Sequence, residues 1–292
     1  MMEFVRRVAF ALSLVLLPVS ARAEFCMLTQ NGLHLGQGKP DYRDTKRQEF
    51  QRIFRDYDVV TLQEVMDPDE PARLAPAGFS ATVSAAKGAS TYKEHYAVLT
   101  RDDAITVLDA ADYPDDGSFA RPPFGVAVQD KHGGRFWLVD IHAIFGKGGV
   151  GPRRLEVAAM AEVLAHYAAR LLPDGSTVAR VVVAGDWNLP ASDHSFADLS
   201  AMSAGLAVAP NVKSSLNGQG AYSSPYDHFL WNATATSVAF ADEPRDTGGL
   251  DTALYRTTLS DHVGVAGYVM AGPGRATPNG VACPPSRSVP GS

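Results

Sequence analysis

Residues 179–188 read Ala-Arg-Val-Val-Val-Ala-Gly-Asp-Trp-Asn. The apolar half, Ala179–Ala184, is rich in β-branched residues and reads as a strand. It stops at a glycine, and a carboxylate, an aromatic ring and an amide follow. The same arrangement recurs along the chain. Phe25–Thr29 runs into Gln30-Asn31-Gly32. Asp58–Gln63 ends in Glu64, and Phe136–Ile141 ends in His142. Tyr226 leads into Asp227-His228, and Ser260-Asp261-His262 opens the apolar run Val263–Val269. Any one of these polar residues is explained by local turn hydrogen bonding. Six of them, each at a strand terminus, predict a shared rim where strand ends and loops assemble a site.

Outward from these runs, Tyr96–Arg101, Phe124–Gln129, His228–Trp231 and Ser237–Phe240 also read as strands. Turn residues such as Asp115-Asp116-Gly117, His132-Gly133-Gly134 and Pro173-Asp174-Gly175 separate the elements. Two segments keep a helical period instead. Phe50, Ile53, Phe54 and Tyr57 fall on one face of a helix predicted over Tyr42–Tyr57. Val157, Met160, Ala161, Leu164, Ala168 and Leu171 do the same over Pro152–Leu172, where Pro152 suits a first turn. Many strands with few helices predict an α/β or α+β sandwich of two packed sheets with helices outside.

The N-terminus sets the expected compartment. Arg6 and Arg7 precede an apolar run, Val8–Val19, and Ala21-Arg22-Ala23 follows. This order reads as a cleaved secretory signal over residues 1–23, with Glu24 the first mature residue. A membrane anchor is the alternative, and the run is short for a span. A secreted or periplasmic protein without stable membrane association is therefore expected, as a monomer by default. Cys26 and Cys283 are the two cysteines; they either form one long-range disulfide in an oxidising compartment or remain separate thiols. The domain is expected over 24–270, followed by an irregular Gly/Pro/Ser-rich tail over 271–292.

The formal net charge is −6. Residues 1–23 carry Arg6, Arg7, Arg22 and Glu3, a net of +2, so the remainder stands near −8. Such a field does not draw in nucleic acid, unless a local basic strip or a bound metal reverses it. Lys46, Arg47, Arg52 and Arg55, and then Lys147, Arg153 and Arg154, form a candidate strip or equally a solvated helix face. Glu64, Asp186, Asn188 and Asp261 offer oxygen ligands, which suits a hard divalent cation rather than zinc. His142 and His262 can move protons or hydrogen-bond to a phosphate oxygen.

The ordered set Asn31, Gln63-Glu64-Val65, His142, Gly185-Asp186-Trp187-Asn188, Tyr226-Asp227-His228 and Ser260-Asp261-His262 resembles the endonuclease/exonuclease/phosphatase superfamily. The likeness runs from about Phe25 to about Val269. Tyr92-Lys93-Glu94-His95-Tyr96 and Arg121-Pro122-Pro123-Phe124-Gly125 resemble secreted DNase I-like nucleases most, with the cytolethal distending toxin nuclease subunits a near relation. The resemblance implies a four-layer sandwich, two mixed β-sheets flanked by helices. It implies that Glu64, Asp261 and Asn31 hold Mg²⁺ or Mn²⁺, with Ca²⁺ as a further cation. It implies that His142 pairs with Glu94 and His262 with Asp227, one pair acting as base and the other as acid. Asp186 and Asn188 would position water, phosphate or metal, and Arg121 and Tyr92 would touch DNA phosphates. Trp187 stands where Phe is more usual, and His95 where Arg is common. The implied activity is hydrolysis of DNA phosphodiester bonds. Phospholipids (a sphingomyelinase-like activity) or small phosphorylated molecules are alternative substrates, and a non-catalytic binding protein is a further alternative.

Overall fold

A computed structural model of the chain describes residues 24–88, 93–146, 148–275 and 283. The residues of the expected signal, Tyr92 and most of the tail lie outside them. Two mixed sheets face each other. The first follows the order β11 (Thr236–Ala239), β13 (Gly264–Ala271), β1 (Glu24–Leu35), β2 (Val59–Val65), β4 (His95–Arg101), β3 (Phe79–Val83). A two-residue strand, β12 (Arg245–Asp246), also pairs with β13. The second follows β5 (Ile105–Asp112), β6 (Phe124–Asp130), β7 (Arg135–His142), β8 (Val181–Asp186), β10 (Asp227–Asn232), β9 (Leu206–Ala209). One pair in each sheet is parallel, β1 with β2 and β7 with β8.

Side chains that alternate along a strand separate into different layers. In β1, Phe25 and Met27 enter the core between the sheets, whereas Cys26 and Leu28 face the outer layer. In β8, Val182 and Ala184 point into that central core and Val181 and Val183 point away from it. Strands covered on both faces therefore read as continuous apolar runs. The outer layer on the first sheet is α1 (Pro40–Phe54) and α5 (Thr252–Thr258), through Phe50, Ile53, Phe54 and Tyr255. On the second sheet it is α3 (Gly151–Ala169) and α4 (His194–Met202), through Met160, Val163, Tyr167 and Phe196. A short helix, α2 (Glu70–Leu74), buries Leu74 beneath the first sheet. The expected four-layer sandwich is the fold of this chain.

Several boundaries differ from the sequence reading. β1 does not stop at Thr29 but continues through Leu35, with a register shift against β2 between Asn31 and Leu35. The two predicted helices each begin earlier and end three residues sooner than expected, at Phe54 and Ala169. Strands β3, β5, β9 and β12 have no counterpart among the predicted runs. They are short or half-exposed, so their apolar signal is weak. Cys26 and Cys283 are bonded, Cα atoms 5.8 Å apart, which resolves the two readings of the cysteines in favour of the bridge.

Candidate active site

The parallel register of β7 and β8 sets His142 beside Asp186. The antiparallel register of β8 and β10 sets Asp186 beside Asp227. Three chemistry-bearing residues thus share one rim because three neighbouring strands begin or end there. Gly185 makes the β7–β8 approach possible, since a Cβ on it would sit 2.0 Å from the Ile141 carbonyl oxygen. From the opposing sheet, β2 brings Glu64 and β1 brings Asn31. Glu64 has φ 56° and sits where the β2–β4 register shifts between Leu62 and Val65. A bulge of this kind re-aims a side chain. Asn188 is likewise left-handed, with φ 49°. Positive φ at non-glycine residues concentrates at functional sites because packing must hold it there.

Two histidine–carboxylate pairs converge on one oxygen. His142 Nδ1 lies 2.7 Å from Glu94 Oε1, and His262 Nδ1 lies 2.7 Å from Asp227 Oδ2. The Nε2 atoms of the two rings lie 3.7 Å and 3.6 Å from Asp186 Oδ2. His142 Nε2 is also 3.9 Å from Glu64 Oε1. Burial disfavours a charged His142, but the Glu94 carboxylate outweighs it and the ring's pKa is raised. Burial works against His262 in the same way. Asp227 and then Asp186 overcome it and push the ring up to about 10. Glu94, although buried, is held below its ordinary range by the neighbouring His142.

The oxygen-rich side of the cleft lies between Glu64 and Asp186. Asn31 Nδ2 donates to Glu64 Oε1 at 3.0 Å and to Asp186 Oδ2 at 3.1 Å. Its Oδ1 accepts from Leu33 N, so Asn31 as placed bridges the two carboxylates through its amide nitrogen. Asp261 lines the same cleft of about 330 Å³, with Glu64, His142, Asp186, Asn188 and His262. Glu64, Asp186 and Asp261 together offer carboxylate oxygens, a donor set that fits a hard divalent cation. Asp186, Asp227 and His262 also offer donor atoms within 4.8 Å of one another. There, however, Asp227 Oδ2 and His262 Nδ1 already bind each other, so the Glu64 side is the better fit.

Asn188 closes the rim from below. Its N–H donates to Asp186 Oδ1 and its Nδ2 to the Ala143 carbonyl. Arg121, expected on a phosphate, is turned inward. Its Nε donates to the His142 carbonyl at 2.9 Å and lies 3.4 Å from Glu94 Oε1, and its Nη2 donates to the Ala143 carbonyl at 2.8 Å. It braces the His142–Glu94 pair through Nε and Nη2. Most of the candidate basic strip is also internally committed. Lys46 Nζ donates to the Leu33 carbonyl, Arg47 pairs with Glu70, Arg52 with Glu49, and Arg154 with Asp193. Lys147 lies outside the described residues.

Other side chains and backbone groups support the site. Ser214 Oγ donates to Asp227 Oδ2 at 2.6 Å, and Tyr96 Oη accepts from His142 N–H at 3.0 Å. His34 N–H donates to Glu64 Oε2 at 3.1 Å. His228, adjacent to Asp227, is a packing residue. It is fully buried, stacks on Trp187, and burial pushes its ring down to about 3, so it stays neutral.

A four-layer sandwich with paired histidines and carboxylates at one rim defines a class of hydrolases acting on phosphoesters. Residues 28–262 match the Endonuclease/Exonuclease/phosphatase family, and the chain belongs to that family. A curated deoxyribonuclease of Thioalkalivibrio sp. (strain K90mix) is 31% identical over 254 residues, covering 79% of this chain and 64% of the relative. Deoxyribonuclease-1-like 2 of Homo sapiens is 35% identical over 85 residues, covering 26% of this chain and 28% of the relative. The chain thus spans just under two thirds of the first relative's length and a much smaller part of the second's. Among solved structures, the catalytic domain of human Nocturnin with bound sulfate superimposes with a TM-score of 0.61 at 14% identity, covering 85% of this chain and 94% of that one. That likeness concerns the fold.

Proposed function

We propose that the protein is a secreted, divalent-metal-dependent phosphodiesterase that hydrolyses DNA as an endonuclease. One observation carries the reading: two buried histidine–carboxylate pairs aim their free Nε2 atoms at one oxygen of Asp186, beside the Glu64 carboxylate. Phosphodiester hydrolysis needs a proton acceptor for the attacking water, a proton donor for the leaving oxygen, and donors for the phosphate oxygens. Two imidazoles on either side of one point supply both proton roles. One ring would act as donor and the other as acceptor, each oriented through its Nδ1–H by the carboxylate behind it.

Glu64 and Asp261 would hold Mg²⁺ or Mn²⁺, with Asp186 beside them, and the ion would offset charge on the phosphate. Asn31 and Asn188 keep the carboxylates in place through their amide hydrogen bonds. DNA is the favoured substrate because both curated relatives are deoxyribonucleases. With the chain acidic and its arginines mostly paired internally, phosphate affinity rests on the cation and the histidines. The Cys26–Cys283 bridge supports an oxidising compartment, secreted or periplasmic. Among the described residues no helix is long and apolar enough to cross a membrane.

The test is plasmid nicking by the chain from Glu24 onward, with Mg²⁺ and with EDTA, beside His142→Ala. Nicking that requires the cation and vanishes in the variant is the expected result. A folded protein that leaves DNA intact, and instead cleaves sphingomyelin or a small phosphodiester, would overturn the substrate assignment.

A further inference from the structure

We propose that Phe145 is a nucleobase-stacking platform, so that the cleft binds the base next to the scissile phosphate as well as the phosphate itself. The proposal rests on the nuclease reading above. Phe145 lines the same cleft as His142, Asp186 and His262, yet 64% of it is exposed. A single exposed apolar side chain needs no explanation in general. This one differs because the protein fixes it where it is.

The backbone leading into the ring is tied down at two consecutive residues, Ala143 and Ile144. Ile144 N–H donates to Glu156 Oε2 at 2.7 Å, and the other oxygen of that carboxylate accepts from Ala120 N–H. The Ala143 carbonyl accepts from both Arg121 Nη2 and Asn188 Nδ2. Beneath the ring lies the Arg153 guanidinium, its central carbon 4.7 Å from the ring centroid. Arg153 is itself buried and donates through Nη1 to the Asn188 carbonyl at 2.9 Å. The cation on one face holds the ring in place and leaves the remaining surface open to the cleft. The ring rests on Arg153, which hydrogen-bonds to Asn188, which in turn hydrogen-bonds to Asp186, so the platform is tied to the reacting site.

A flat, pre-positioned π surface beside a phosphate site fits a nucleobase, since every base has a π-face and stacking tolerates sequence; on a duplex the ring would enter as a wedge that unstacks the step beside the phosphate. A lipid chain fits less well. Besides Phe145 the cleft lining includes Leu216 and Tyr226, but most of it is polar: Ser215, Ser223, Ser224, Asp261 and the site carboxylates.

The experiment compares the full chain with Phe145→Ala and Phe145→Trp on labelled oligonucleotide duplexes in Mg²⁺. A second duplex set replaces one base beside the cleaved phosphate, on either side, by an abasic residue. Phe145→Ala should raise KM about tenfold or more with most of the loss in KM rather than kcat. Phe145→Trp should restore it. On the abasic duplex of the correct side, wild type and Phe145→Ala should converge. If wild type nicks DNA but Phe145→Ala keeps its KM on every duplex, the platform is wrong and the nuclease reading stands. If wild type cuts no DNA at all, both fall. Loss of binding to phosphatidylcholine–sphingomyelin vesicles by Phe145→Ala, with DNA kinetics unaltered, would make the ring a lipid contact and overturn the proposal.

Discussion

Asp227 holds His262 from behind, its Oδ2 2.7 Å from the ring Nδ1, with both groups buried. Burial alone would drive the second proton off the ring. Asp227 and Asp186 reverse that and push the imidazole up to about 10. The folded value lies above the ordinary 6.5, so the stabilisation is fully present below 6.5 and fades as pH rises from there toward 10. In EDTA-treated protein, the His262 ring resonances should therefore show no titration between about pH 6 and pH 8. Asp227→Asn should bring the midpoint down into or below that interval, and should lower stability at neutral pH more than near pH 10. A wild-type midpoint close to 6.5 would refute the electrostatic account.

Glu94 plays the same part for His142, and kinetics separate the two residues. His142→Ala should lower kcat by about 10²–10⁴, the range of one general acid or base. Glu94→Gln should cost about 10–100-fold, since it removes orientation and charge but leaves the ring. Because the residues act as a unit, the double variant should lose little beyond His142→Ala alone. Additive losses in steady-state assays would mean that Glu94 acts elsewhere, for instance by anchoring Arg121.

How much of this was legible beforehand depends on which forces placed each residue. The strands that carry the site are covered on both faces, so Val181–Ala184 and Phe136–Ile141 announce themselves as apolar runs, and the residue after each run is easy to find. Edge strands such as β5 and β9 bury one face at most, and their patterns fade into loop. Within the site, His142, Asp186, Asp227 and His262 were visible because their positions follow from strand ends. The inward turn of Arg121 was not, since the carbonyls it binds, His142 and Ala143, lie more than 20 residues away in sequence. The same holds for Ser214 behind Asp227 and Arg153 beneath Phe145. Their partners are set by tertiary packing, and a serine or arginine carries no mark of it.

One buried acid makes a further prediction about pH, at lower pH than the histidine. Asp140, on β7 two residues before His142, is fully buried and accepts from Gln63 Nε2 at 2.6 Å, while its Oδ2 has no partner among the described residues. Burial raises its pKa well above 3.8, and the Gln63 hydrogen bond only partly offsets this. The folded state keeps the proton after the unfolded chain has released it. Stability attributable to this group is thus greatest at low pH and falls as pH climbs above 3.8 toward the folded value. Asp140→Asn keeps the shape and an acceptor for Gln63 without the titration. Its advantage over wild type in urea unfolding should be absent near pH 4 and grow by at most about 1.4 kcal/mol per pH unit above that. A variant that is less stable than wild type at pH 8 would show that the carboxylate is ionised and needed.

Gly185 tests whether the close approach of β7 and β8 positions the site. In the parallel register Ile141 pairs with Gly185, and the next step pairs His142 with Asp186. A Cβ at Gly185 would meet the Ile141 carbonyl oxygen at 2.0 Å and its Cγ2 at 3.0 Å, and φ 153° is itself unfavourable for a side chain. The contact is with backbone inside a sheet, so relief requires the strands to part. Overpacking of this kind, together with backbone strain, should cost Gly185→Ala about 3 kcal/mol or more. Because the displacement falls one residue before both His142 and Asp186, residual folded protein should also show reduced kcat. Gly151→Ala is the matched control, at the start of α3 with open space around its Cβ and no strained φ. Calorimetry should find Gly151→Ala close to wild type. Were Gly185→Ala to melt with it, the two strands would have room that the structure denies them, and the His142–Asp186 separation would owe nothing to that glycine.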